Sequence, residues 1–243
     1  MSNVLVCPIA FNENVKLKNV IERFLKSAVA VSVDYLVIDD CSTDETTDII
    51  QSYADKGIKT IKHAVRRGVG SAIRTAIKYA VESNYDVLVI MAGNDKDNPE
   101  EIPALIEPIF KEGYELVQGS RYLNGSRIGG DMPAYRKMAT KLHPFLFLLF
   151  THRKVTDTTN GFRAIKLSIF QDKRINIDQE WLNTYELEPY LLYKAITLGH
   201  RFKEVSVTKI YPSWRLGYTK MKPIVGWWSI LKPIFYLGFG IKK

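Results

Sequence analysis

The chain has 243 residues, and 34 basic against 26 acidic side chains leave a formal charge of +8. Apolar residues make up 46% and aromatics 12%, which excludes disorder, collagen-like repeats and low-complexity tracts, and suffices for one full core. Two cysteines, Cys7 and Cys41, cannot build a disulfide framework, and no Cys/His spacing fits zinc, so a reducing compartment is expected.

Val4 to Ala10 is a short apolar run with no basic residue ahead of it, which reads as a first strand (Val4 to Ile9) rather than a signal peptide. Val15 to Ala30 follows as an amphipathic helix, then Tyr35 to Asp40 as a second strand. Ser42 with Glu45 three residues on has the form of a capping box opening the next helix. Ile58 to Lys62 is a third strand and Val69 to Glu82 a third helix. Val87 to Met91 is continuously apolar, as in a strand buried on both faces. Asn98-Pro99-Glu100-Glu101 starts another helix, with a cap, a proline in the first turn and acids at the positive dipole end. Leu116 to Gly119 is a fifth strand.

Beyond that point the pattern weakens. Phe145 to Phe150 is apolar but too short to span a membrane, Thr184 to Leu198 reads as a helix and Phe202 to Ile210 as a strand. The alternation predicts an α/β fold with a mostly parallel, doubly wound sheet and helices on both faces.

Residues 1–210 read as one domain and 211–243 as a basic, aromatic tail. After residue 200, Arg201, Lys203, Lys209, Arg215, Lys220, Lys222, Lys232, Lys242 and Lys243 face only Glu204. With Trp214, Trp227 and Trp228, this tail suits an anionic membrane surface, each cation contributing ~1 kcal/mol. The alternative is a helix packed on the domain or on a second subunit. Ile224 to Ile241 approaches the ~20 residues of a membrane span, but Lys232-Pro233 and three glycines interrupt it. The basic balance comes with no nucleic-acid motif, so no nucleic-acid partner is expected.

Ligands of doubly wound sheets bind at the carboxyl ends of the strands. Four polar clusters fall there: Asn12-Glu13, Asp39-Asp40, Arg66 to Gly70 and Asn94 to Asp97. Adjacent acids such as Asp39 and Asp40 suit a base, a ribose or a metal, although Ser42 and Asp44 alone suffice to cap a helix. Arg66-Arg67-Gly68-Val69-Gly70-Ser71, entering a helix, suits a phosphate, or is simply a tight loop. Asp95 and Asp97 flank Lys96, so oxygen ligands for Mg²⁺ or Mn²⁺ sit beside a cation. In the second half, Arg121, Arg136 and Arg163 suit a phosphorylated acceptor held by guanidinium forks.

Taken together, Pro8-x-x-Phe11-Asn12-Glu13, Val37-Ile38-Asp39-Asp40-x-Ser42-x-Asp44, Arg67-Gly68-x-Gly70-Ser71-Ala72, Gly119-Ser120-Arg121-Tyr122, Asp157 with Gly161-Phe162-Arg163-Ala164, Glu204-Val205 and Gly217-Tyr218-Thr219-Lys220 resemble the family 2 glycosyltransferases of the GT-A fold. Within them the chain is similar to polyprenyl-phosphate and dolichol-phosphate mannosyl- or glucosyltransferases. That resemblance implies an inverting hexose transfer from a UDP- or GDP-linked sugar to a polyprenyl phosphate, by an enzyme peripheral to the cytoplasmic membrane face. It implies that Pro8, Phe11, Glu13, Asp39 and Asp40, with the Arg67-Gly68 loop, hold the nucleotide. Arg121 and Arg136 fall where relatives bind the acceptor phosphate and leaving diphosphate, Arg163 and Lys220 at basic positions nearby, and Asp157 at an acid beside the acceptor.

The family's Asp-x-Asp metal motif falls on Ala92-Gly93-Asn94, without either carboxylate. Either Asn94, Asp95 and Asp97 hold the ion in a shifted register, or Lys96 supplies the charge itself. Transfer to a sugar hydroxyl, with Asp157 or Glu186 as base, and a non-catalytic scaffold are the rival readings.

Overall fold

The computed structural model describes residues 3–132, 134–212, 221 and 225–243. The strands are β1 (Val4–Ala10), β2 (Asp34–Asp39), β3 (Ile58–Lys62), β4 (Val87–Ala92), β5 (Leu116–Ser120), β6 (Arg127–Gly130), β7 (Arg163–Lys166), β8 (Phe202–Ser206) and β9 (Thr208–Tyr211). The helices are α1 (Asn14–Lys26), α2 (Thr46–Gln51), α3 (Val69–Glu82), α4 (Ile102–Glu112), α5 (Ala134–Thr151), α6 (Leu187–Thr197) and α7 (Val225–Gly238).

Seven strands form one sheet in the order β3-β2-β1-β4-β7-β5-β8, parallel except for β7, which runs antiparallel to both neighbours. β6 and β9 pair in parallel as a separate ribbon. The period-2 alternation of side chains sorts each strand between two cores. Leu5, Cys7, Leu36, Ile38, Leu88 and Ile90 face α3, α5, α6 and α7. Val4, Val6, Tyr35, Val37, Val87 and Val89 face α1, α2 and α4. Both faces are covered, which is why β4 is apolar along its whole length.

The structure departs from the sequence reading at definite places. No capping box forms: Ser42 Oγ instead accepts from Asn12 N (2.9 Å), Glu45 accepts from Asn14 Nδ2 (2.8 Å), and α2 begins at Thr46. The Asn98 cap does form, through Oδ1 and Glu100 N, on a short 3₁₀ turn that leads into α4. Phe202 to Ile210 is two strands rather than one, because the chain leaves the main sheet at Val207 to build the ribbon.

The tail is not a free appendage. Its helix α7 buries Gly226, Ser229, Pro233 and Ile234, the last within the main core. Lys232, which interrupts the apolar run, donates to Glu186 Oε1 at 2.6 Å beside the start of α6. No helix of the described residues is long and apolar enough to cross a membrane.

Candidate functional site

The four polar clusters do converge. A cavity of about 440 Å³ lies at the carboxyl ends of β1, β2 and β4 and takes its walls from Phe11, Asn12, Glu13, Asp40, Arg66, Gly68, Asn94 and Lys96. Arg121, Arg136, Lys209 and Tyr211 close one end, and Leu142, Trp227, Ile230 and Leu231 of α5 and α7 supply an apolar wall. Asn12, Cys41 and Asp95 have positive φ (51°, 65° and 58°), so three of the connecting loops turn sharply at this edge.

At the β1–β2 end, the Arg66 guanidinium stacks on the Phe11 ring, 3.9 Å from carbon to centroid. That flat, positively charged wall suits a base. The acids behind it are spent on protein donors. Asp39 accepts from Ser42 N (2.8 Å) and Thr47 Oγ1 (2.6 Å) and does not line the cavity. Asp40 accepts from Arg67 N (2.8 Å) and Gly68 N (2.7 Å) and lies 2.8 Å from His63 Nδ1, so it shapes the loop that follows. Pro8 is buried within β1, away from the cavity.

The glycine loop is built for packing. At Gly68, with φ +96°, a Cβ would sit 2.6 Å from the Asn183 carbonyl, and at Gly70 it would run into the carbonyls of Leu182 and Thr184. Ser71 N donates to Asn183 O (3.0 Å). With the Arg67 and Gly68 amides given to Asp40, the anion cradle expected at this helix entry is occupied by the protein itself. Arg66 lines the cavity and Arg67 does not; adjacent arginines in a loop cannot be told apart in sequence.

At the other end, Arg121 is clamped by Asp157. Nε donates to Oδ2 at 2.6 Å, Nη2 to Oδ1 at 2.7 Å and the backbone amide to Oδ2 at 3.0 Å. Thr159 Oγ1 and Tyr211 Oη take further guanidinium hydrogens at 2.7 and 2.9 Å. Burial alone would raise the Asp157 carboxyl, but the charge and hydrogen bonds of Arg121 outweigh it and hold it below its usual value. Glu204 accepts from the amides of Thr156 and Asp157 (2.8 and 2.9 Å) and so fixes the loop that carries the acid. Asp157 thus holds the Arg121 side chain in place; it is fully buried and outside the cavity lining, so it is not beside the acceptor space where the sequence reading puts it.

Arg163 does not line the cavity either. It is fully buried on β7 and donates to the carbonyls of Glu188 (2.9 Å) and Asn160 (2.8 Å). Arg136 lines the cavity, 5.7 Å from the centroid of the Tyr211 ring, and Lys96 lies 5.5 Å from the same centroid. Burial, then the charges of Arg136 and Lys209, push the Lys96 ammonium down to about 7. Lys220 lies outside the described residues. Lys209 and Trp227 read in the sequence only as part of a basic, aromatic tail, and Tyr211, Ile230 and Leu231 are not singled out there, because only the β9 ribbon and the tail helix bring them to the strand ends; Asn160, before β7, carries no sequence signal.

A divalent cation does not fit these residues. Asp95 turns outward to Arg23 (3.0 Å) and Asn19 (3.2 Å). Asp97 accepts from Ala92 N (3.0 Å) and is ion-paired with Lys209. Asn94 offers one neutral oxygen, buried and without a protein partner. No three His, Cys, Asp or Glu side chains gather among the described residues, and residues 213–220 and 222–224 include none of these types.

Comparison with known proteins agrees with the architecture. The sequence pattern of Glycosyl transferase family 2 matches residues 6–173. An undecaprenyl-phosphate mannosyltransferase of Micrococcus luteus is 31% identical over 202 residues, covering 81% of this chain and 79% of the relative. A UDP-N-acetylglucosamine–dolichyl-phosphate N-acetylglucosaminyltransferase of Methanococcus voltae is 28% identical over 227 residues, covering 88% and 87%. A dolichol-phosphate mannosyltransferase of Pyrococcus furiosus is 30% identical over 169 residues, covering 68% of this chain and 47% of the relative. Among solved structures, glucosyl-3-phosphoglycerate synthase from Mycobacterium tuberculosis, in complex with Mn²⁺, UDP and glucosyl-3-phosphoglycerate, superposes with a TM-score of 0.66 at 20% identity, covering all of this chain and 81% of the synthase. With two thirds of its length matched by that pattern and a GT-A sheet beneath it, the chain belongs to glycosyl transferase family 2 and is a glycosyltransferase.

Proposed function

We propose that this enzyme transfers a hexose from a UDP- or GDP-linked sugar to a polyprenyl phosphate, with inversion at the anomeric carbon, as a peripheral protein of the cytoplasmic membrane face. The observation that carries the reading is a single cavity joining Arg121, Arg136 and Lys96 to an apolar wall of Leu142, Trp227, Ile230 and Leu231. An anionic head on a hydrocarbon chain matches both halves. The outer surface continues the apolar theme: Trp228 and Phe235 of α7 and Phe239 just beyond it form a stacked aromatic row, with Phe150 of α5 packed edge-on against it. Phe145 and Leu149 of α5 are 62% and 60% exposed. The names of the bacterial and archaeal relatives support a prenyl-phosphate acceptor.

An oxygen of the acceptor phosphate forms the new bond to the anomeric carbon as the bond from that carbon to the diphosphate oxygen breaks, and the nucleoside diphosphate leaves with the electron pair. A phosphate monoester has its second pKa near ~6, so the nucleophile is already anionic at pH 7 and needs no strong base. The surroundings agree. His143 is drawn down to about 4 by burial, and its Nε2 donates to Ile230 O while Nδ1 accepts from Thr158. Asp157 is bound to Arg121, and Glu186 to Lys232 and Thr184, so the two carboxylates considered as bases for a sugar hydroxyl are both engaged. The chain's own contribution is then positioning and stabilisation of the departing charge by fixed cations.

The test is donor hydrolysis and transfer measured with a short-chain polyprenyl phosphate, and separately with sugar acceptors. Transfer to the lipid phosphate alone supports the reading; transfer to a sugar hydroxyl alone overturns it.

A further inference from the structure

We infer that Lys96, seated with Arg136 and Lys209 beyond the end of β4, holds the donor's diphosphate in place of a divalent cation, so that donor binding needs no metal. The inference rests on the reading of a nucleotide-diphosphate sugar as donor.

Three observations carry it. The first is the strand end itself. Ala92 and Asn94 stand where a carboxylate pair is expected, and between them a Cβ on Gly93 would come within 3.0 Å of the Ile9 carbonyl and 3.2 Å of Leu17 Cδ1. The main chain is therefore packed tightly here, and only a neutral amide faces the cavity.

The second is where the two following acids go. Asp97, 1% exposed, folds back under the loop to its own strand's Ala92 amide and to Lys209 of β9. The same junction is sealed by the hydrogen bond from Ile210 N to Lys96 O (3.1 Å) and a bridge between Asp97 and Lys209. Asp95 serves Arg23 on α1. Both carboxylates thus organise the loop and present the lysine between them to the cavity, where it is 6% exposed.

The third is the charge around that lysine. Lys96 and Arg136 approach the same Tyr211 ring, whose hydroxyl accepts from Arg121, and Lys209 stands at their side. Like charges gathered in a buried site repel one another, and burial pushes the Lys96 ammonium down to about 7. An anion carrying two or three negative charges relieves that repulsion. A divalent cation adds to it: Glu13, the carboxylate that faces these cations, is already paired with Lys16 at 2.7 Å, and Asn94 Oδ1 is a neutral acceptor. A protein ammonium also matches a diphosphate as a compact charge with three donors.

The experiment is calorimetric titration of the full chain with UDP and with GDP, once in EDTA and once in Mn²⁺, on the native protein, Lys96→Ala and Lys96→Arg. Expected is native binding to one nucleotide at equal affinity in EDTA and Mn²⁺. Lys96→Ala should weaken it by about 10- to 100-fold, the worth of a charge-assisted hydrogen bond, with Mn²⁺ giving no rescue. Lys96→Arg should recover part of the loss, and an unchanged unfolding midpoint for Lys96→Ala separates ligand loss from misfolding. Binding that appears only with Mn²⁺ overturns the inference and leaves the donor reading intact. Metal-independent binding that Lys96→Ala leaves unchanged overturns the role of Lys96. Absence of binding to both nucleotides overturns the inference together with the donor reading.

Discussion

Arg121 and Asp157 meet through two parallel hydrogen bonds, Nε to Oδ2 at 2.6 Å and Nη2 to Oδ1 at 2.7 Å, with both side chains almost completely buried. The acid sits behind the arginine and aims it into the cavity. Replacing Asp157 by Asn leaves a buried guanidinium charge unmatched, a change that costs ~3–5 kcal/mol in buried pairs. Chemical denaturation should show that loss. The softer change Arg121→Lys keeps the charge but loses the fork, and should lower turnover by about 10²-fold while nucleotide affinity falls much less. Equal losses in both would place Arg121 in ground-state binding alone.

Gly70 packs its Cα against the 182–184 segment, leaving no room for a methyl group. Gly70→Ala should destabilise the fold by about 1–3 kcal/mol through overpacking, read as a drop in the denaturation midpoint. Arg67→Ala, on the same loop but off the cavity, should leave donor affinity within about twofold, whereas Arg66→Ala removes the stacked wall and should weaken it by about 5- to 30-fold, the worth of ~1–2 kcal/mol.

His143 gives stability a pH dependence. Burial lowers its pKa from 6.5 to about 4. Between those values the unfolded chain binds the extra proton and the folded chain does not, so stability rises with pH across this window. The contribution is complete above about pH 6.5 and is lost as pH falls towards 4, by roughly 3 kcal/mol in total. Thermal melts across that range should show a shallower decline for His143→Gln than for the native protein.

The apolar outer surface of α5 and α7 should bind membranes. Co-sedimentation with vesicles containing anionic lipid should retain the native chain, and Trp228→Ser with Phe145→Ser should weaken retention without altering nucleotide affinity, since both side chains point outward. Because α7 is docked through Ile234 and the Lys232–Glu186 pair, the surface is presented by a folded helix and not by a free tail.

The first half of the chain was legible because short β-rich runs, apolar on both faces in β1, β2 and β4, alternate with amphipathic helices and are punctuated by glycines and the Asn98-Pro99 cap. Ile58 to Lys62 and Val69 to Glu82 are read to the residue. The second half was not. β7 is a four-residue insertion between β4 and β5 whose only signal is Ala164-Ile165. α5 carries Phe145 and Leu149 on its solvent side and a proline inside, which blurs its periodicity. At the site, the convergence of strand ends followed from topology, but the use of each charge did not. Asp157, Asp97 and Arg163 find their partners 36, 112 and 25 residues away, and only the folded chain shows that those groups are spent on the protein.

Transfer to a lipid phosphate is tested most directly by a single-turnover reaction with labelled UDP- and GDP-sugars and a short-chain polyprenyl phosphate, with product stereochemistry determined by NMR. The expected product is a polyprenyl-phosphate hexose of inverted anomeric configuration, formed from one of the two donors. Retained configuration, or no lipid product while a sugar acceptor is glycosylated by the same preparation, would contradict it.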